Sequence, residues 1–201
     1  MRLNNFVPDI SEARKQLQAF GEFLTNHPTF KEQTVLAKLD VWKHLFGFAP
    51  NSLNACDCLK FEFELGNFRA DAVIGDSVEH RFCFIEFEDA LKTSIFTKSK
   101  RSYDTWSKRF EGGFSQLIDW FEHLNYMEHN PLLKDTFGSQ TIEIEGILVI
   151  GRDAFLDDQN RRRLRWRQNH VLIDSHKIAC LTFDQFYRKI DRRINRYGGK
   201  I

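Results

Sequence analysis

Residues 68–75 read FRADAVIG, residues 81–89 read RFCFIEFED, and residues 112–121 read GGFSQLIDWF. The first two runs are strand-like, and each carries acid. Side chains alternate along a strand. Arg69, Asp71 and Val73 therefore share one face of the first run, and Ala70, Ala72 and Ile74 the other. In the second, Phe82, Phe84, Glu86 and Glu88 point one way, and Cys83, Ile85 and Phe87 the other. A carboxylate inside so apolar a strand is costly unless it is paired or metal-bound. Asp71, Glu86 and Glu88 therefore need an explanation. A divalent cation is one, and pairing with Arg69 or Arg81 is the plain alternative.

Just upstream, residues 58–64 (CLKFEFE) alternate as a further strand, with Leu59, Phe61 and Phe63 toward the core. Gly66 and Asn67 form a hairpin turn into the next strand, so residues 58–88 read as a three-stranded meander. Residues 114–125 have helical spacing and follow Gly112 and Gly113, which release the helix from a loop. Gln116 and Trp120, four apart, share a side of it. Residues 10–26 form an amphipathic helix capped by Ser11. Residues 29–46 form a second helix, closed by Gly47. Glu32 in its first turn either complements the helix dipole or adds a carboxylate near a metal. A polar connector leads to a strand at 146–151. A basic helix at 157–169, a strand at 177–183 and a last helix capped by Asp184 complete the chain.

The 201 residues suit one domain, and 42% hydrophobic residues provide a packed core. The net charge of +1 excludes a globally basic nucleic-acid binder. Such a partner would be held by local patches, and two stretches qualify. Lys98, Lys100 and Arg101 lie in a loop interleaved with Tyr103, Trp106 and Phe110, and Arg161, Arg163 and Arg167 lie in the basic helix. Basic and aromatic residues together suit phosphates and stackable bases. A solvated loop with aromatic anchors, and a solvated helix face, are the bland readings. Cys56 and Cys58 are one residue apart, which is not a zinc spacing. The N-terminus has no apolar signal segment, and no run approaches the roughly 20 apolar residues of a membrane span. The expectation is a soluble, cytoplasmic protein.

Taken in order, Asp71, Glu86 and Gln116 resemble the acidic residues and glutamine helix of the PD-(D/E)xK nuclease superfamily. More narrowly, IEFEDA at 85–90 followed by GGFSQLIDWF resembles the Shedu anti-phage defence nucleases. The resemblance covers about residues 20–151, with extension to the whole chain left open. It implies an α/β fold with a restriction-endonuclease-like core, a mixed β-sheet flanked by helices. It implies a helical N-terminal lead-in at 1–27 and a nuclease domain at 28–201 with a C-terminal strand–helix extension. It further implies a metal-dependent DNA endonuclease of anti-phage defence. Asp71, Glu86 and Glu88 would hold Mg2+ or Mn2+, and the same three with Gln116 would be catalytic. The partners implied are double-stranded phage DNA and further copies of the chain, tetramers among them.

In one respect the chain departs from that pattern. The superfamily's lysine, two residues after the strand acid, is Glu88 here. A glutamate can ligate metal or act as a base, but it cannot offset charge on phosphorus. Lys92, Lys98 or Lys100 could supply that cation. The alternative function is a non-cleaving DNA-end sensor or assembly module that has lost the chemistry with the lysine.

Overall fold

Alternating apolar runs build a sheet, and the helical stripes cover both of its faces. The computed structural model describes residues 3–50, 53, 55–100, 102–173 and 176–198. In chain order the elements are β1 (Asn4–Asn5), α1 (Ile10–Asn26), α2 (Glu32–Leu36), α3 (Lys43–Phe46), β2 (Cys58–Leu65), β3 (Phe68–Asp76) and β4 (Arg81–Phe87). Then come β5 (Phe96–Thr97), β6 (Thr105–Trp106), α4 (Lys108–Tyr126), α5 (Pro131–Phe137), β7 (Glu143–Val149), α6 (Asp158–His170), β8 (Ile178–Leu181) and α7 (Phe183–Gly198).

The main sheet has six strands in the order β1-β2-β3-β4-β7-β8, and β5 and β6 form a separate small hairpin. β2, β3 and β4 pair antiparallel, as the meander predicts, and β1 adds antiparallel to β2. β7 and β8 run parallel to β4. Parallel neighbours need a crossover, which α4 and α5 supply before β7 and α6 before β8. The expected α/β fold, a mixed sheet flanked by helices with an N-terminal helix, is what the chain adopts.

β4 separates two cores. Ile85 and Phe87 pack with Phe20, Phe46 and Phe186 beneath α1, α3 and α7. Phe82 and Phe84 pack with Leu117, Trp120 and Phe137 beneath α4 and α5. The rings of Phe84 and Trp120 lie 4.9 Å apart. A central strand covered on both sides is the setting in which a carboxylate is most costly.

Several local expectations change. Asp9, not Ser11, caps α1, accepting the N–H groups of Ser11 and Glu12 at 2.8 and 2.9 Å. The helix expected at 29–46 breaks into α2, a 3-10 turn at Asp40–Trp42, and α3. The tighter turn still buries Val35, Leu39, Trp42 and Leu45, so apolar spacing alone does not distinguish the two forms. α4 starts at Lys108, with Ser107 as its cap, and runs through Gly112 and Gly113. The polar connector contains α5, capped by Asn130 with Pro131 at its start and left-handed Gly138 at its end. Thr182, rather than Asp184, caps α7. Its hydroxyl accepts Gln185 N–H at 3.1 Å and its own N–H donates to Gln185 Oε1 at 3.3 Å, a reciprocal capping box.

One change bears on function. Leu59 and Phe61 join the core under α1, whereas Phe63 joins the core under α4. Glu62 between them has φ +47°, and Asp71 stands opposite it in the register. On β3 the same switch separates Ala70 from Ala72. Strict alternation therefore fails on both strands at the level of Asp71.

Candidate functional site

The β3–β4 ladder ends at Ala72↔Ile85, one step before Asp71 would meet Glu86. The N–H of Phe87 donates instead to Asp71 Oδ2 at 2.7 Å. β4 stays paired with β7 through Phe87↔Val149, and Glu88 N–H extends that ladder to Val149 O at 2.9 Å. The two strands thus part where the carboxylates lie. A cleft of about 430 Å³ opens there, lined by Glu32 of α2, Asp71 of β3, Glu86 and Glu88 at the end of β4, and Arg109 and Gln116 of α4.

The four residues read as catalytic are therefore brought together. Glu86 is 3% exposed, and its Oε1 has no hydrogen-bond partner among the described residues. Burial raises its pKa, and Asp71, Glu88 and Glu32 push the same way. Burial also raises Asp71, against the Phe87 N–H bond. Asp71 and Glu86 act as a pair that holds on to a proton. Burial lifts Glu88 to about 7, although Arg109 pulls it down. Glu32 is raised too, by burial first. Gln116 is exposed at the rim, and Trp120, one turn on, is buried. The simplest neutralising partners are engaged elsewhere: Arg69 pairs with Glu62 and Arg81 with Glu143.

Arg109 and Asp89 complete the site, and neither stands out in the sequence. Arg109 reaches Glu88 at 3.1 Å, Glu32 at 3.2 Å and Asp89 at 3.3 Å. Its burial is outweighed by these acids, which raise its pKa. Asp89 accepts Glu32 N–H at 2.8 Å and so ties α2 to the end of β4. One signal was available: a cation in the first turn of a helix opposes the dipole unless acids face it. Gly113 lets α4 come this close. A Cβ there would lie 2.7 Å from Leu148 Cδ1 and 3.0 Å from Glu88 Oε1.

The carboxylate donors are all oxygen, which fits a hard cation, and the buried Glu86 Oε1 has a lone pair that no described residue engages. Among the described residues no three His, Cys, Asp or Glu side chains form a ready-made cage. Magnesium needs none, because one or two carboxylates with waters and substrate phosphates suffice.

The residues expected to contact DNA are spread differently. Lys98 is exposed and pairs with Asp104 at 3.1 Å. Lys100 is exposed, and Arg101 lies outside the described residues. Arg161 donates to the carbonyls of Leu156 and Asp153. Arg163 donates to Asp104 O and lies over the rings of Phe96, Tyr103 and Trp106. Arg167 forms a two-pronged pair with Glu111 and sits 4.2 Å from the Phe114 ring centroid. These two arginines clamp α6 onto the β5–β6 hairpin and the start of α4. No helix among the described residues is long and apolar enough to cross a membrane.

No curated protein matches the chain. The model of the family described as Shedu protein SduA, C-terminal, matches residues 8–187, so the chain belongs to that family, whose role lies in anti-phage defence.

Proposed function

We propose that the chain is a metal-dependent DNA endonuclease working in anti-phage defence. The observation that carries this reading is the buried, partly unpartnered Glu86 carboxyl beside Asp71 and Glu88, at the floor of an open cleft. Three carboxyls gathered where strands part are unfavourable for stability alone. They are explained if the cleft holds a cation and a phosphodiester. Asp71 and Glu86 would hold Mg2+ or Mn2+, with Glu88 beside them. Bound there, the ion supplies Lewis-acid polarisation of a phosphoryl oxygen and an acidified water. The Phe87 N–H fixes the Asp71 carboxylate, and Gln116 at the rim can orient a water or a phosphate oxygen. Arg109 reaches Glu88, the position of the missing lysine, and would supply there the cation that Lys92, Lys98 or Lys100 could otherwise provide.

The test is incubation of purified protein with linear and circular DNA, with and without magnesium or manganese. Product only with metal, and none from Glu86→Gln, is the expected result. A non-cleaving DNA-end sensor is the second reading. It is favoured by Arg109 being already engaged with Glu32, Glu88 and Asp89. That reading predicts metal-independent binding and no product with any metal.

A further inference from the structure

A second concavity, of about 660 Å³, lies between α6 and α7 over Ala179 and Leu181 of β8. β8 is the last strand of the sheet, with β7 between it and β4. The groove is thus two inter-strand steps, roughly 10 Å, from the strand that carries Glu86. Seven of the chain's 29 basic residues line it, against the single acid Asp153.

The cations are ordered. Arg161 and Arg165 on α6, and Arg188, Arg192 and Arg196 on α7, recur every fourth residue. Each set stacks along one helix face at steps of about 6 Å. Like charges at that spacing repel, and little on the chain relieves them. Arg188 pairs with Asp153 at 2.6 Å. Arg161 and Arg192 donate to backbone carbonyls, which satisfy N–H groups without neutralising charge. Among the described residues no carboxylate pairs with Arg165, Arg192 or Arg196. Burial lowers the pKa of Lys189, against the pull of Glu145 at 4.0 Å. Compensation of the helix dipole accounts for Arg196 in the last turn of α7, but not for Arg188 or for the ladder opposite.

We propose that the α6–α7 groove is a second, metal-independent site for a phosphate chain, occupied by the backbone of a nucleic-acid strand whose bases it does not read. Guanidinium forks match phosphate oxygens in pairs. A ladder of repeated charges suits a repeating anion better than a compact one, which would engage only one rung. Among the described residues no aromatic side chain lines the groove, which offers the strand charge rather than a stacking platform. The proposal rests on this groove alone and not on metal chemistry in the acidic cleft.

The experiment uses the full chain in EDTA, so that no cleavage is read. Fluorescence anisotropy would follow labelled duplex DNA and labelled single strands from low to moderate salt, with inorganic polyphosphate as a third ligand. Arg188→Gln/Arg192→Gln/Arg196→Gln should weaken strand binding at least tenfold. It should also reduce the slope of log affinity against log salt by about 2–3, the loss of three phosphate contacts. The double variant Arg192→Gln/Arg196→Gln keeps the Arg188–Asp153 pair and should show a smaller drop in the same sense. Lys15→Gln/Lys43→Gln/Lys134→Gln removes equal charge from exposed positions elsewhere and should leave affinity within twofold. Unchanged affinity and slope in both arginine variants would overturn the proposal. So would an equal loss in the lysine variant, which would reduce the effect to net charge. Arginine-dependent capture of polyphosphate but of neither strand would overturn the assignment to nucleic acid.

Discussion

Arg109, in the first turn of α4, donates to Glu88 Oε2 at 3.1 Å across the cleft mouth. Glu88 is the residue that replaces the lysine of the resembled nucleases, so a cation is present at that point but arrives from another element. Replacing Arg109 with Ala leaves Glu88 and Asp89, both largely buried, without their cation. A cost of about 1–2 kcal/mol is expected, because a buried acceptor loses its partner. DNA cleavage should fall at least tenfold, and Arg109→Lys should recover part of it. A variant with full activity and an unchanged melting temperature would remove Arg109 from the site.

Glu88 itself is separable from Arg109. Glu88→Gln should reduce the rise in melting temperature that magnesium or manganese gives, because one charged oxygen ligand is lost. Glu88→Lys introduces the lysine of the nucleases that the sequence resembles, but sets a second cation beside Arg109. Cleavage that persists or increases in Glu88→Lys is expected if Asp71 and Glu86 retain the chemistry. Thermal shifts with metal that are equal in wild type and Glu88→Gln would make Glu88 a bystander.

The cleft carboxyls predict an unusual pH dependence without metal. Glu88, with its pKa raised from 4.5 to about 7, binds more protons folded than unfolded over that interval. Its stabilising contribution is therefore complete below pH 4.5 and lost as pH rises through about 7. The Asp71–Glu86 pair, also raised, has the same sign. In EDTA the melting temperature of the wild type should fall by roughly 5 °C between pH 5 and 8.5. Glu86→Gln, with one titrating carboxyl fewer, should fall less. Stabilisation by divalent metal should grow with pH, since the ion competes with these protons. Parallel pH curves for the two proteins would contradict the proposed coupling.

Two adjacent glycines should respond oppositely to alanine. At Gly112 a Cβ meets nothing within 4 Å, so Gly112→Ala should stabilise α4 by about 0.5–1 kcal/mol. At Gly113 a Cβ falls 2.7 Å from Leu148 Cδ1 and 3.0 Å from Glu88 Cγ. Gly113→Ala should cost about 1–3 kcal/mol and, by displacing Glu88, impair metal response. Denaturant melts of the two variants decide it. Similar shifts in both would mean that α4 does not approach the sheet this closely.

Arg167 is predicted to act first on stability. Its side chain is 15% exposed, paired with Glu111 and packed on Phe110 and Phe114. Arg167→Ala should lower the melting temperature by about 3–8 °C through lost packing and ring contact. Arg165→Ala, on the exposed face of α6, should stay within about 0.5 kcal/mol of wild type. If Arg167→Ala melts normally and only weakens DNA binding, the direct phosphate contact read from the sequence is restored.

Much of this architecture was legible in the sequence. The period of two along residues 81–87 correctly separates Phe82 and Phe84 from Cys83, Ile85 and Phe87, because an unbroken strand has no other way to present its side chains. Strand order and register, rather than that rule, bring Asp71 level with Glu86, and α1 and α6 follow from their spacing and charge. What failed depended on partners far away in the chain. The break at residues 37–42 buries the same apolar residues as an unbroken helix would. The face switch at Glu62 needs the strand opposite it. Arg163 and Arg167 look solvated until the hairpin folds beneath them. Arg109 joins Glu32 and Glu88 from 77 and 21 residues away, against its own helix dipole. Local periodicity determines which way a side chain faces, whereas which charge neutralises a buried carboxylate is decided by proximity in space, and that exists only once the sheet and helices have packed.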